Sequence, residues 1–396
     1  MLTSLLFFSL AVFAQDPNAR QPVLSRGNAD LTLDGEVRLR FESRDSAVPF
    51  GTSASESNSS GRFRIGLLAD LDEEFSAYVQ FQKLIRDEGD DSEDFIHQAF
   101  FAWKAAVLGT DLAAGRFELD LGSGLLVGTD DWNGTGRAFD GVRADRDGGS
   151  YRTTMFWTQP VEKQAIPDGM EQNFGGVWFA TPLAQLEWEF YGLVRDDRGV
   201  GGAGLDDTTV GARVSGGQDS GFTWSAELAT QFGDHGAEDA GGILAAVGGG
   251  THLTRALRGD AGVLYASGDG DPADGNQDAF VPLFDERHSI LGAADLVAPS
   301  NVIDVFARTL WDLDGNWSLG AAIHWMRLAD DAGALPIAGA TGTGDSDLAQ
   351  ELDLWAQGRL MQQLDLRLGV AEFWAGDAIA LGEDQLWIYA QALVWF

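Results

Sequence analysis

Cysteine is absent from the 396 residues, so neither a disulfide nor an N-terminal lipid-anchor cysteine is available and the fold must stand on hydrogen bonds and packing. Beyond residue 14 no apolar run approaches the roughly 20 residues that a membrane helix requires, which excludes helical spans. Proline is scarce (10) and histidine scarcer (5). No two histidines stand at metal-ligand spacing, and neither G-x-S-x-G nor H-E-x-x-H occurs. Lysine is confined to Lys83, Lys104 and Lys163; every other basic side chain is arginine. A formal net charge of -35 excludes nucleic acid as a natural partner.

What is present is glycine (51) and tryptophan (13), a profile suited to long strands, tight turns and interfacial aromatics. Residues 1–14, MLTSLLFFSLAVFA, carry a short apolar core without a basic start and read as an export signal, too short to span a bilayer. Residues 15–29 then form a short periplasmic segment and 30–396 a single domain. Acids gather between the regular runs, as in DEGDDSED between Arg86 and Phe95, whereas arginines recur within them. Solvated acidic loops explain the first observation and leave the second open.

Side chains alternate with a period of two over about 30–42, 61–72, 74–86, 94–104, 110–117, 137–147, 150–159, 172–181, 183–195, 207–215, 221–233, 241–254, 259–268, 301–313, 316–328, 350–361, 364–375 and 384–396. The last run, DQLWIYAQALVWF, is apolar on one face, mixed on the other, and ends on an aromatic. About eighteen runs is an even number, as single-chain bacterial barrels require. Connections alternate in length: 43–60, 87–93, 118–136, 160–171, 269–300 and 329–349 are long, while 72–73, 146–149, 181–182, 313–316 and 362–363 are short. A soluble sandwich has no reason to sort its loops this way. The fold class is therefore an all-β transmembrane antiparallel β-barrel in the bacterial outer membrane, with short periplasmic turns and long extracellular loops.

The two faces support that orientation. Leu31, Leu33, Val37, Leu39 and Phe41 lie on one side, Thr32, Asp34, Glu36, Arg38 and Arg40 on the other. An arginine facing lipid at mid-depth costs about 2 to 4 kcal/mol, so the charged side faces the lumen. The same parity sends Arg62, Arg64, Arg152, Arg213, Arg308, Arg359 and Arg367 inward, and around eighteen strands enclose water rather than a packed core.

Residues 115–143 read GRFELDLGSGLLVGTDDWNGTGRAFDGVR: a strand end, a long glycine-punctuated outer loop and a strand start. Leu119, Leu121, Leu125, Leu126, Val127 and Trp132 suit a loop folded into the lumen as a constriction, with a capping loop as the alternative. The segment resembles the alginate-export family of outer-membrane porins, in which a GRxEL strand end, a VGTDDW loop and a GRxFDGVR strand recur in this order. Residues 266–297, an acidic glycine-rich stretch followed by F-x-P-L-F, His288 and Asp295, resemble a second block of that family. The resemblance implies an eighteen-stranded channel whose arginine-lined lumen passes an anionic polysaccharide past lumen-folded loops. Its motif matches are Arg116, Glu118, Asp130, Asp131, Trp132, Arg137, Asp140 and Arg143. Regular parity sends Asp140 to the face opposite Arg143, which a bulge or a place beyond the apolar band would resolve.

A guanidinium is a planar fork that meets a carboxylate in two parallel hydrogen bonds and does not deprotonate. Conduction requires weak binding at many sites, and exposed ion pairs of about 0.2 to 1 kcal/mol suit such a ladder. The acidic rim stands more than about 10 Å from mid-lumen, beyond the roughly 8 Å Debye length. The expected function is passive passage, in either direction, of an anionic or neutral carbohydrate such as an acidic sugar or uronate polymer. Partners are outer-membrane lipid and periplasmic secretion proteins; the chain is expected as a monomer, not an enzyme, with no cofactor and no metal. Two alternatives stand beside it: a general diffusion pore whose charged wall is self-paired, and a hydrolase at the rim using His235, His288 or His324 with acids. Calcium at Asp269, Asp271 and Asp274 is weaker still, since such clusters are usually solvated turns.

Overall fold

The computed structural model describes residues 23–27, 29–45, 55–87, 92–161, 172–197, 204–217 and 221–396. The expected export signal, most of the segment after it, and parts of several outer loops lie outside the described residues. Eighteen long strands run in chain order: β1 Ala29–Arg44, β2 Glu56–Asp70, β3 Phe75–Arg86, β4 Ser92–Val107, β5 Thr110–Phe117, β6 Phe139–Asp147, β7 Arg152–Pro160, β8 Gln172–Leu183, β9 Leu186–Asp197, β10 Leu205–Gly216, β11 Phe222–His235, β12 Ile243–His252, β13 Leu257–Ala266, β14 Val302–Asp312, β15 Trp317–Arg327, β16 Asp347–Met361, β17 Leu364–Ala375 and β18 Gln385–Trp395. Each pairs antiparallel with the next. β1 also pairs with β18, from Glu36 opposite Trp395 to Arg44 opposite Trp387, which closes the ring. Phe396 extends that seam by exchanging two backbone bonds of 3.0 Å with Gly35.

The strands form because their apolar side chains alternate, and a closed ring leaves no backbone edge unpaired in lipid. Leu33, Leu39, Phe41, Phe63, Ile65 and Leu67 are exposed on the outer face, while Arg38, Arg40, Arg62 and Arg64 on the same two strands are buried inside. Short links such as 71–74, 108–109, 184–185 and 362–363 lie at one end and the long loops at the other. The runs expected at 110–117 and 241–254 are both strands, the second shortened to Ile243–His252.

The outer part of the lumen departs from the expected water-filled tube. Loop 118–138 turns inward and buries Leu119, Leu121, Leu125, Leu126 and Val127 against Phe139, Phe156, Phe174 and Leu193 of the wall and Phe280 and Phe284 of loop 267–301. The physical reason is that inward positions of β6 to β9 carry aromatics, for which two apolar loops are better partners than water. Leu126, Gly128 and Phe284 are stitched by backbone bonds of 2.8 Å, so the two loops form one plug. A three-residue 3-10 turn, Arg287–Ser289, sits within the second loop.

Candidate functional site

The plug is fastened to the wall by one side chain above all. Asp131 receives Arg62 Nη1 and Arg64 Nη1 at 2.9 Å each, and Arg62 Nη2 at 3.2 Å. Its carbonyl accepts from Arg38 Nη1 at 2.6 Å, while Arg38 Nη2 donates to the carbonyl of Asn133 at 3.1 Å. Arg38, Arg62 and Arg64 meet there because β1 and β2 pair Arg38 directly with Arg62 and Glu36 with Arg64. Glu36 completes the cluster, accepting from Arg62 Nε at 2.6 Å. Burial works against the Asp131 carboxylate, and the charges of Arg62, Arg64 and Arg38 overturn that penalty and hold its pKa well below the usual range.

Trp132 follows directly. Arg40 lies 3.8 Å over its ring and Arg367 4.9 Å. The His288 imidazole stacks on it at 3.7 Å and 5°. Tyr389 meets it edge-on at 5.2 Å. Arg40 is also held by Gln391 Oε1 at 3.0 and 2.8 Å. Asp130, on the other side of Asp131, points toward the second loop: its backbone N–H donates to Glu286 Oε2 at 2.9 Å and its carboxylate lies 3.6 Å from Arg137. Burial raises Asp130 to about 6, less the effect of Arg137. Burial and the charge of Asp130 raise Glu286 to about 7.

Trp132 is the only described residue that lines both of two cavities. The inner one, about 620 Å³, opens among residues near the periplasmic ends such as Asp260, Gly358 and Asp365. The outer one, about 490 Å³, reaches the extracellular ends through Asn58, Ser59 and Arg86. The constriction is therefore the Asp131–Trp132 dipeptide. Five arginines and eight carboxylates line the inner chamber, four of each the outer, so the lumen wall is mixed in sign.

The sequence-derived arginines fall into groups. Arg38, Arg40, Arg62 and Arg64 converge on the plug. Arg137 lies before β6, in the loop, and its Nη1 donates to the carbonyls of Gly128, Phe284 and Asp285 at 2.8, 2.6 and 3.3 Å; it clamps the two loops together. Arg143, Arg152, Arg213 and Arg359 face inward but each meets an acid: Asp145 at 2.7 Å, Glu187 at 2.6 Å, Glu189 at 2.9 Å and Asp365 at 3.2 Å. Arg308 and Arg367 line the inner chamber. Among the described residues neither has a carboxylate within 4.0 Å.

Arg116 and Asp140 require a correction. They are bound to each other in a fork, at 2.7 and 2.8 Å, and do not face the lumen. Phe117 and Phe139 beside them are buried in the plug, and alternation sends their neighbours outward, near the outer end of the wall. The position beyond the apolar band, and not a switch of face, resolves the parity conflict at Asp140. Sequence reasoning also missed Gln391, Gln357 and Trp355; parity places them on the inner face, but no motif marks them.

Comparison with curated proteins gives no match. A family model described as Alginate export matches residues 29–390. Three solved barrels from Pseudomonas aeruginosa are similar in fold. OccD3 (OpdP) has a TM-score of 0.67 at 12% identity, covering 96% of each chain. OccK5 (OpdH) has 0.65 at 13%, covering 93% of this chain and 98% of its own. OccK2 (OpdF), solved in complex with glucuronate, has 0.67 at 10%, covering 93% and 97%. At such identity the likeness is one of fold alone.

Proposed function

The chain belongs to the alginate export family and is an outer-membrane channel, and we propose from that premise that it passes acidic sugars, as single uronates or short polymers, by diffusion without energy coupling. The observation that carries this reading is the pair Arg308 and Arg367, guanidinium groups turned to the inner chamber with no carboxylate in ion-pair contact, although Asp260 stands opposite Arg308 on the neighbouring strand. Arg308 is held by the Ser289 carbonyl at 3.3 Å and lies 5.3 Å from the Phe306 ring. Arg367 rests between Trp132 and Tyr389. Aromatic and carbonyl partners hold a guanidinium in place without satisfying its preference for an anion. A passing carboxylate can do so briefly. The related barrel OccK2 was solved with an acidic sugar, glucuronate, which agrees with the choice of substrate class.

The pairing of Arg143, Arg152, Arg213 and Arg359 with acids supports the second reading, a general diffusion pore with a self-paired wall. His97, His235, His288 and His324 each hold one acid, and the preference for a channel rests instead on the family match and the barrel fold. Exposed large apolar side chains occur on seventeen of the eighteen strands, all but β5, which suits a monomer surrounded by lipid.

Reversal potentials in a salt gradient separate the two readings. Replacing both Arg308 and Arg367 by alanine is expected to shift the potential of the acidic-sugar channel toward cation preference and to weaken its block by glucuronate. A potential identical to the unaltered protein would select the general pore.

A further inference from the structure

One row of directly opposed residues crosses five strands on the lumen side: Leu310 of β14, Gly320 of β15, Trp355 of β16, Gly369 of β17 and Tyr389 of β18. Glycine and aromatic alternate along it, and the alternation has a steric meaning. A Cβ on Gly320 would fall within the Trp355 ring, and one on Gly369 within that of Tyr389. Each ring therefore lies down on the glycine of the preceding strand and turns a flat face to the lumen. An aromatic held upright by a neighbouring side chain would present only an edge.

The row is bracketed by polar ones. On one side Arg308, Ala322 and Asp353 stand opposite one another. On the other stand Gln357, Arg367 and Gln391. Rows on the same face are about 7 Å apart, within reach of these long side chains. Tyr389 is closed off at present, 2% exposed beneath Trp132. Trp355 opens into the inner chamber together with Arg308, Arg367 and the two glutamines.

We propose that this is a saccharide station, in which the Trp355 indole takes the face of one pyranose ring of an acidic sugar while Arg308, Arg367, Gln357 and Gln391 meet its carboxylate and hydroxyls. It rests on the acidic-sugar reading above and adds a step that charge alone does not supply. A pyranose has apolar faces of C–H groups and a polar rim, and the station is apolar at the centre and polar around it. A lipid chain fits poorly, because Asp353, Asp260 and Asp365 also line the chamber and would be stripped of water by it.

The test is block of single-channel current by glucuronate. Trp355→Ala should weaken block about fivefold to tenfold, the range of one good aromatic contact, and Trp355→Phe should keep most of it. Gly320→Leu, which adds no charge and fills the seat of the indole, should weaken block too. In all three the reversal potential in a salt gradient should stay unchanged. Block by glucuronate that is as strong in Trp355→Ala and Gly320→Leu as in the unaltered protein would overturn the station and leave the channel reading intact. If the potential ignores the arginines as well, the acidic-sugar reading fails separately. Heat-shifted gel mobility reports whether each variant has closed its barrel.

Discussion

Asp131 satisfies three arginines at once, so its loss should be felt well beyond its own position. Arg62 is 1% exposed, and breaking a buried ion pair from one side costs up to about 3 to 5 kcal/mol when the partner charge stays behind, an upper bound here because Glu36 still accepts from Arg62. Asp131→Ala is therefore expected to lower thermal stability by up to that amount and to free the plug, read as larger and noisier unitary currents. Asp131→Asn keeps the shape but not the charge and should fall between. Arg116→Ala makes the opposite case: the pair with Asp140 is partly exposed outside the lumen, worth about 1 kcal/mol or less, and its removal should leave the reversal potential as it was. Parity read correctly that Arg38, Arg62 and Arg64 point inward. It could not say that a loop carboxylate, and not a solute, would be waiting for them, because the partner lies 67 to 93 positions away in sequence on a segment without periodicity.

At the scale of elements, the strands were legible and the loops were not, for the same cause. A strand in lipid obeys a two-residue rule that each residue reports independently, whereas a loop inside the lumen packs by shape. The apolar content of loop 118–138 announced that it would be buried; its partner, loop 267–301, was read as an acidic outer loop although Phe280, Phe284, Ile290 and Leu291 sit in the core. The contact between the two is expected to respond to pH. Glu286, at about 7, and Asp130, at about 6, hold protons in the folded chain that they would release nearer 4 when unfolded. The folded state thus binds more protons in this window, and the loop contact weakens as pH rises from about 4 through 7. Open-state noise should grow between pH 5 and pH 8, and Glu286→Gln should flatten that dependence. A noise level constant with pH in the unaltered protein would contradict this assignment.

For the molecule as a whole, closure depends on β1 and β18. Arg40 and Gln391, joined across this seam, are 351 positions apart, so nearly the whole chain must be present before the wall can be completed. Deleting Phe396 removes two backbone bonds and the ring that covers Gly35, and should lower the yield of heat-resistant barrel without altering selectivity. The strand number and the alternation of loop lengths could be read in advance, since a bilayer of fixed thickness sets the length of each run, which lets the runs be counted, and the up-and-down path sends successive links to opposite sides. The division of the lumen into two chambers could not, because it depends on where a single indole comes to rest. The seam also orders events in time: until the terminal aromatic arrives, two greasy margins with unsatisfied amides stand open, and a nascent molecule in that condition needs shelter from its neighbours.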